Sequence, residues 1–89
     1  MKIDNNIIVG ILTKLADVYP FMLETEGYRK LLTEIEESIL DGHLIYLSEK
    51  GLISTTLRYL EHQREWEIHS NNTRITAHGL DYLASQPDS

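Results

Sequence analysis

One stretch constrains the fold more than any other: residues 38–53, SILDGHLIYLSEKGLI. Leu40, Leu44 and Leu47 recur at spacings of four and three, which puts them on one stripe of a helix. Ser38 stands where it can cap the start, with Asp41 three residues on, near the positive end of the helix dipole. Gly51 stands where a helix stops in the left-handed conformation, and Lys50 suits the C-terminal turn. Leu52 and Ile53 then open a run of strand character. The rest of the chain is organised around this helix-to-strand corner.

Upstream, Ile7, Ile8, Ile11, Leu12 and Leu15 share one helical face and leave Lys14 and Asp17 outside, which predicts a helix over 4–18 capped by Asp4 or Asn5. Gly10 inside it costs roughly 1 kcal/mol against Ala, which suggests close approach of another helix. Pro20 ends that helix. The apolar run 21–23 reads as a short strand or a packed linker. A second helix over 25–36 presents Tyr28, Leu31, Leu32 and Ile35 inward, and a third spans 38–50.

Downstream, the period changes to two: Ile53, Thr55, Leu57 and Tyr59 alternate with Ser54, Thr56 and Arg58. Polar residues 61–65 form the tip of a hairpin over 53–75, and Trp66 and Ile68 return on its second strand, Trp66 either an exposed anchor or, as is usual for a hairpin tryptophan and preferred here, a cover for the core. Asn71-Asn72 reads as a turn or as an irregular break within that strand. Asn71-Asn72-Thr73 also matches a glycosylation acceptor, a reading that the turn displaces. Thr76 caps a last helix over 76–85, with Leu80 and Leu83 inward.

There is no cysteine, so disulfides and thiol chemistry are excluded. No apolar run is long enough to span a bilayer, and the polar start is unlike a signal peptide, so a cytoplasmic protein without a membrane role is expected. His62, His69, Glu65 and Glu67 lack HxxxH or HExxH spacing, so no metal or other cofactor is expected. Neither a Gly-x-Ser-x-Gly elbow nor a glycine-rich phosphate loop is present, so no enzyme is expected.

The element order and two motifs, YLSEKGLI at 46–53 and ITAHGLDYL at 75–83, resemble the winged helix-turn-helix superfamily of small bacterial and phage regulators, which includes MarR-like and PadR-like proteins. The resemblance implies an α+β, mainly α fold over 1–89, with a three-helix core, a β-hairpin wing and a C-terminal helix. It also implies a transcriptional regulator that binds double-stranded DNA as a dimer on a palindromic site. The 38–50 helix would enter the major groove by its N-terminal half, and the wing would reach the backbone. Ser38, Asp41, Gly42, His43, Ile45 and Tyr46 would then face DNA, and Arg58, Arg64 and Arg74 would hold phosphates.

The residues themselves pull the other way. That helix face offers no Arg or Lys for guanine and no Asn or Gln for adenine. The net charge of −6 opposes binding to phosphates. A second function is therefore open: an acidic winged helix module that docks on a protein, as adaptor or inhibitor, through the face around His43, Ile45 and Tyr46. His43 either contacts a base or packs on the neighbouring helix. Arg58 and Arg64 either clamp phosphates or pair with Glu61, Glu65 or Glu67 across the hairpin. The apolar load of the first helix, with Gly10, points to a homodimer built on it.

Overall fold

The corner at Gly51 forms as its residues require. In a computed structural model, which describes residues 1–69 and 72–86, helix α3 (Glu37–Glu49) ends with Lys50 as its cap and Gly51 at φ +75°. The Gly51 N–H donates to the Ser48 carbonyl and the Leu52 N–H to the Leu47 carbonyl, each at 3.0 Å. These two bonds make a Schellman motif, and Leu47 and Leu52, both buried, supply its apolar contact. The chain leaves this turn directly into a strand.

Around it stand α1 (Asn5–Ala16), α2 (Thr25–Glu34), β1 (Ile53–Ser54), β2 (Leu57–Leu60), β3 (Glu65–Ile68), β4 (Arg74–Ile75) and α4 (Ala77–Ala84). The fold is α+β and mainly helical. Its core gathers Ile8, Ile11, Leu12 and Leu15 from α1, the Leu40–Leu44–Leu47 stripe of α3, Leu31 of α2, and Leu52, Ile53 and Ile75. Ile7 and Val9 of α1 remain half-buried, while Gly10 is exposed, with open space where a side chain would stand. Within one copy, and among the described residues, no second helix approaches α1 at Gly10. None of the helices described is long and apolar enough to cross a membrane.

Helix ends differ from the expectations by a few residues, for physical reasons. Asp4 caps α1 as expected, accepting from the Asn6 N–H at 2.8 Å. That helix stops at Ala16 rather than 18. The second stops at Glu34 rather than 36 because Ile35 turns extended, at φ −129° and ψ 129°. The third begins at Glu37, with Glu36 as its cap residue. Ser38 therefore lies inside the first turn and caps nothing; its hydroxyl donates to Glu36 Oε1 at 3.0 Å. At the last helix, the Thr76 hydroxyl accepts from the Gly79 N–H at 3.1 Å.

The hairpin is two antiparallel ladders rather than one. Ile53 and Ser54 pair with Ile75 and Arg74, and Leu57 through Leu60 pair with Ile68 through Glu65. Between the ladders, Thr55 lies against Thr73 and the Thr56 carbonyl accepts from the His69 N–H at 3.5 Å, and neither threonine belongs to a ladder, so the period-two run is broken. Threonine side chains take over there: Thr55 and Thr73 hydroxyls lie 2.7 Å apart, and Thr73 also donates to the His69 carbonyl at 3.0 Å. The expected turn at Asn71-Asn72 falls partly outside the described residues, as does the end of the polar tail. The run 21–23 is not a strand. It makes one backbone bond to the hairpin, from the Leu23 N–H to the Thr73 carbonyl at 2.8 Å, which buries Leu23 and leaves Phe21 74% exposed.

Candidate docking groove

A concavity lies between the N-terminal half of α3 and the β3 side of the hairpin. It encloses about 570 Å³ and is lined by Glu36, Glu37, Ser38, Asp41, Gly42, Ile45, Glu65 and Trp66. Its position follows from strand alternation. Tyr59 pairs with Trp66, and Leu57 pairs with Ile68 two residues along, so all four share one face of the hairpin. Ile68 at the base of that face packs on the core. Further out the hairpin overhangs the body, so Tyr59 and Trp66 are both 47% exposed. Their rings are 5.3 Å apart, tilted by 58°. Trp66 thus covers the groove beside α3 instead of the core, contrary to expectation.

Charge in the groove has one sign. Its lining brings Glu36, Glu37, Asp41 and Glu65 together with no Lys or Arg. Among the described residues, none of these carboxylates has a cationic partner within 4.0 Å; the ion pairs are Arg29–Glu26 and His69–Glu67. Nor do they converge as a cluster able to hold a metal ion, again among the described residues.

Asp41 feels this crowding. Burial raises its carboxyl above the usual range, a hydrogen bond from the Tyr28 hydroxyl at 3.1 Å pulls it back down, and the charge of Glu37 raises it again. Tyr28 is pushed up to about 12 by burial, by the Asp41 charge, by its hydrogen bond to Asp41 and by Glu37. The signs follow from linkage. Asp41 binds its proton more tightly folded than unfolded, so at neutral pH its ionised form weighs against the fold. Asp41→Asn, which keeps an acceptor for Tyr28, should therefore raise stability at pH 7. The gain stays below about 1 kcal/mol, because solvent screens a half-exposed group. It should fade as pH falls through the carboxylate range, which denaturant titrations at several pH values would read. The Tyr28 contribution is present below pH 10 and lost as pH rises toward about 12.

The sequence-predicted site residues separate in space. Ser38, Gly42 and Ile45 line the groove. His43 does not: it is fully buried, with Nε2 accepting from the Asp4 N–H at 3.0 Å and Nδ1 2.7 Å from the Ile39 carbonyl. It packs α3 on the start of α1 and cannot reach a base edge. Tyr46 lies round the helix in a smaller niche of about 270 Å³ with Ile8, Lys50, Leu52, His78 and Tyr82. The Lys50 ammonium sits 5.7 Å above its ring.

The arginines are likewise dispersed. Arg58 alternates to the face opposite Tyr59 and Trp66. It stands across from Glu67, whose Oε1 is held by His69 Nε2 at 2.7 Å. Arg64 occupies the hairpin tip at φ 52°. Arg74, on the other ladder, donates to the Ile75 carbonyl at 3.3 Å. The cross-hairpin pairs with Glu61, Glu65 or Glu67 are not formed among the described residues.

Glu36, Glu37, Glu65 and Trp66 belong to the groove and were absent from the expected site. One signal could have found two of them: a tip centred on 61–64 places 60 opposite 65 and 59 opposite 66. No family model, curated protein or solved structure matches this chain. The reading of the groove rests on its own residues.

Proposed function

We propose that this chain is a winged helix domain that works by docking a protein, as an adaptor or inhibitor, and not by reading DNA. The order of three helices, a hairpin and a last helix supports the winged helix assignment. So does the backbone bond that ties Leu23 to the returning strand. In such a domain the face between the third helix and the wing is where a duplex would lie. The observation that carries the reading is the charge at that place: four carboxylates line it, and no cation does. Duplex DNA carries a negative charge about every 1.7 Å of its axis, so phosphates brought to this face meet net repulsion. Ile45 and Trp66 among polar residues are, in contrast, the mix of side chains found in a protein interface.

The test is retardation of mixed-sequence duplex DNA at low salt, where electrostatic attraction is strongest. No shift is expected at micromolar protein. Retardation that weakens when Arg64 and Arg74 are both changed to Ala would overturn the reading. It would hand the function back to a DNA-binding regulator with its phosphate contacts on the hairpin.

A further inference from the structure

We propose that the groove takes an arginine-bearing basic segment of a partner protein, one guanidinium lying against the Trp66 ring with Glu37, Asp41 and Glu65 around it. This rests on the protein-docking reading above and names the chemistry of the partner. The groove has the size of a site for a few side chains, about 570 Å³ against the 300–1,000 Å³ usual for ligand pockets. Its chemistry selects among occupants. A phosphate, an acidic peptide or the carboxylate rim of a second copy meets four like charges. A divalent ion needs oxygens converging on one point, and those described here do not converge. Carboxylates spread along the walls suit instead a cation whose charge is itself spread out.

Trp66 makes the choice sharper. It is half-exposed with its ring propped at 58° to Tyr59, so part of its surface is open to the groove. An indole face attracts a cation within about 6 Å, and a planar guanidinium can stack on it while its N–H groups reach carboxylates at the side. An ammonium offers a point charge and no flat face. One feature works against a cation: the N-terminus of α3 carries roughly half a positive charge. Four carboxylates outweigh it. The raised proton affinity of Asp41 comes first from burial and then from the charge of Glu37, and a cation bound beside it offsets both.

Trp66 is the one tryptophan in the chain, so its fluorescence reports from inside the groove. The probes are two blocked hexapeptides of alternating glycine with arginine or with lysine, titrated at low salt. The arginine peptide should change Trp66 emission saturably and bind about threefold or more tighter than the lysine peptide. The double variant Glu37→Gln, Asp41→Asn should weaken the arginine peptide by about fivefold, the scale of two partly exposed ion pairs. In Trp66→Leu, followed by anisotropy of labelled peptides, the preference for arginine should vanish.

Each of these results would overturn the proposal: equal affinity for the two peptides, undiminished binding by the carboxylate variant, or no response of Trp66 to either peptide. The comparison of peptides on the unaltered protein needs no variant to fold. Absence of DNA retardation together with absence of arginine binding would remove this inference alone. DNA retardation would remove the docking reading beneath it. Self-association in sedimentation that is broken by Glu65→Lys would assign the groove to a second copy and also overturn the proposal.

Discussion

Gly79→Ala should lower stability by about 3 kcal/mol or more, the upper range for forcing volume into a packed site. In a domain this small that is a fall in Tm of more than about 10 °C, readable by circular dichroism. The first turn of α4 lies directly on the corner that follows α3. The Thr76 hydroxyl donates to the Gly51 carbonyl at 2.7 Å, and the Thr76 N–H donates to the Leu52 carbonyl at 3.1 Å. At Gly79 the helix touches that same Leu52 carbonyl. An added Cβ would collide with its oxygen, and would stand 2.6 Å from Ile75 Cγ1 and 3.1 Å from the Leu52 carbonyl carbon. These neighbours are backbone and a fully buried core side chain, so neither can swing aside. Gly10→Ala is the matched control. Nothing lies within 4 Å of its added Cβ, so the same change at this exposed position of α1 should stabilise by about 0.5–1 kcal/mol.

His43→Leu should cost about 2–3 kcal/mol, although it removes a polar group from the core. Both ring nitrogens are engaged: Nε2 accepts from Asp4, so the proton sits on Nδ1 and is donated to the Ile39 carbonyl. Leucine fills most of the volume but leaves the part-buried Asp4 N–H without its acceptor, and a hydrogen bond left unmade in such a place costs about 1–3 kcal/mol. The loss should be local as well as global. Asp4 caps α1, so amide exchange at Asn6 and in the first turn of α1 should quicken more than exchange in α4. A variant as stable as the parent, with unchanged exchange there, would show that the tether contributes nothing.

Both predictions concern positions whose meaning differs between the sequence and the fold. The stop of α3 at Gly51, the core stripe of Leu40, Leu44 and Leu47, the caps at Asp4 and Thr76 and the hairpin tip were legible along the chain. Each depends on neighbours within a few residues, and helical or strand periodicity carries that information. Thr76 and Gly79 were visible as a motif, but its reason, contact with a carbonyl 27 positions earlier, was not. Gly10 is open to solvent within one copy, which its place in the helix could not show. A glycine in a helix shows that a side chain is missing there, not whether anything fills the space.

The candidate surface was decided almost wholly in three dimensions. The sequence by itself determined that the outward face of 38–50 lacks the donors for bases and that the chain is acidic, because composition needs no folding. Only the tertiary structure decided that His43 is core, that Tyr46 faces a different niche and that the arginines scatter over the hairpin. It also decided that Trp66 leaves the core to join Glu37, Asp41 and Glu65 across a groove. The physical reason is the split hairpin. The break at Thr55 and Thr56 anchors one ladder on the core and lets the other overhang α3. Which side chains then meet depends on that offset, which no local pattern encodes.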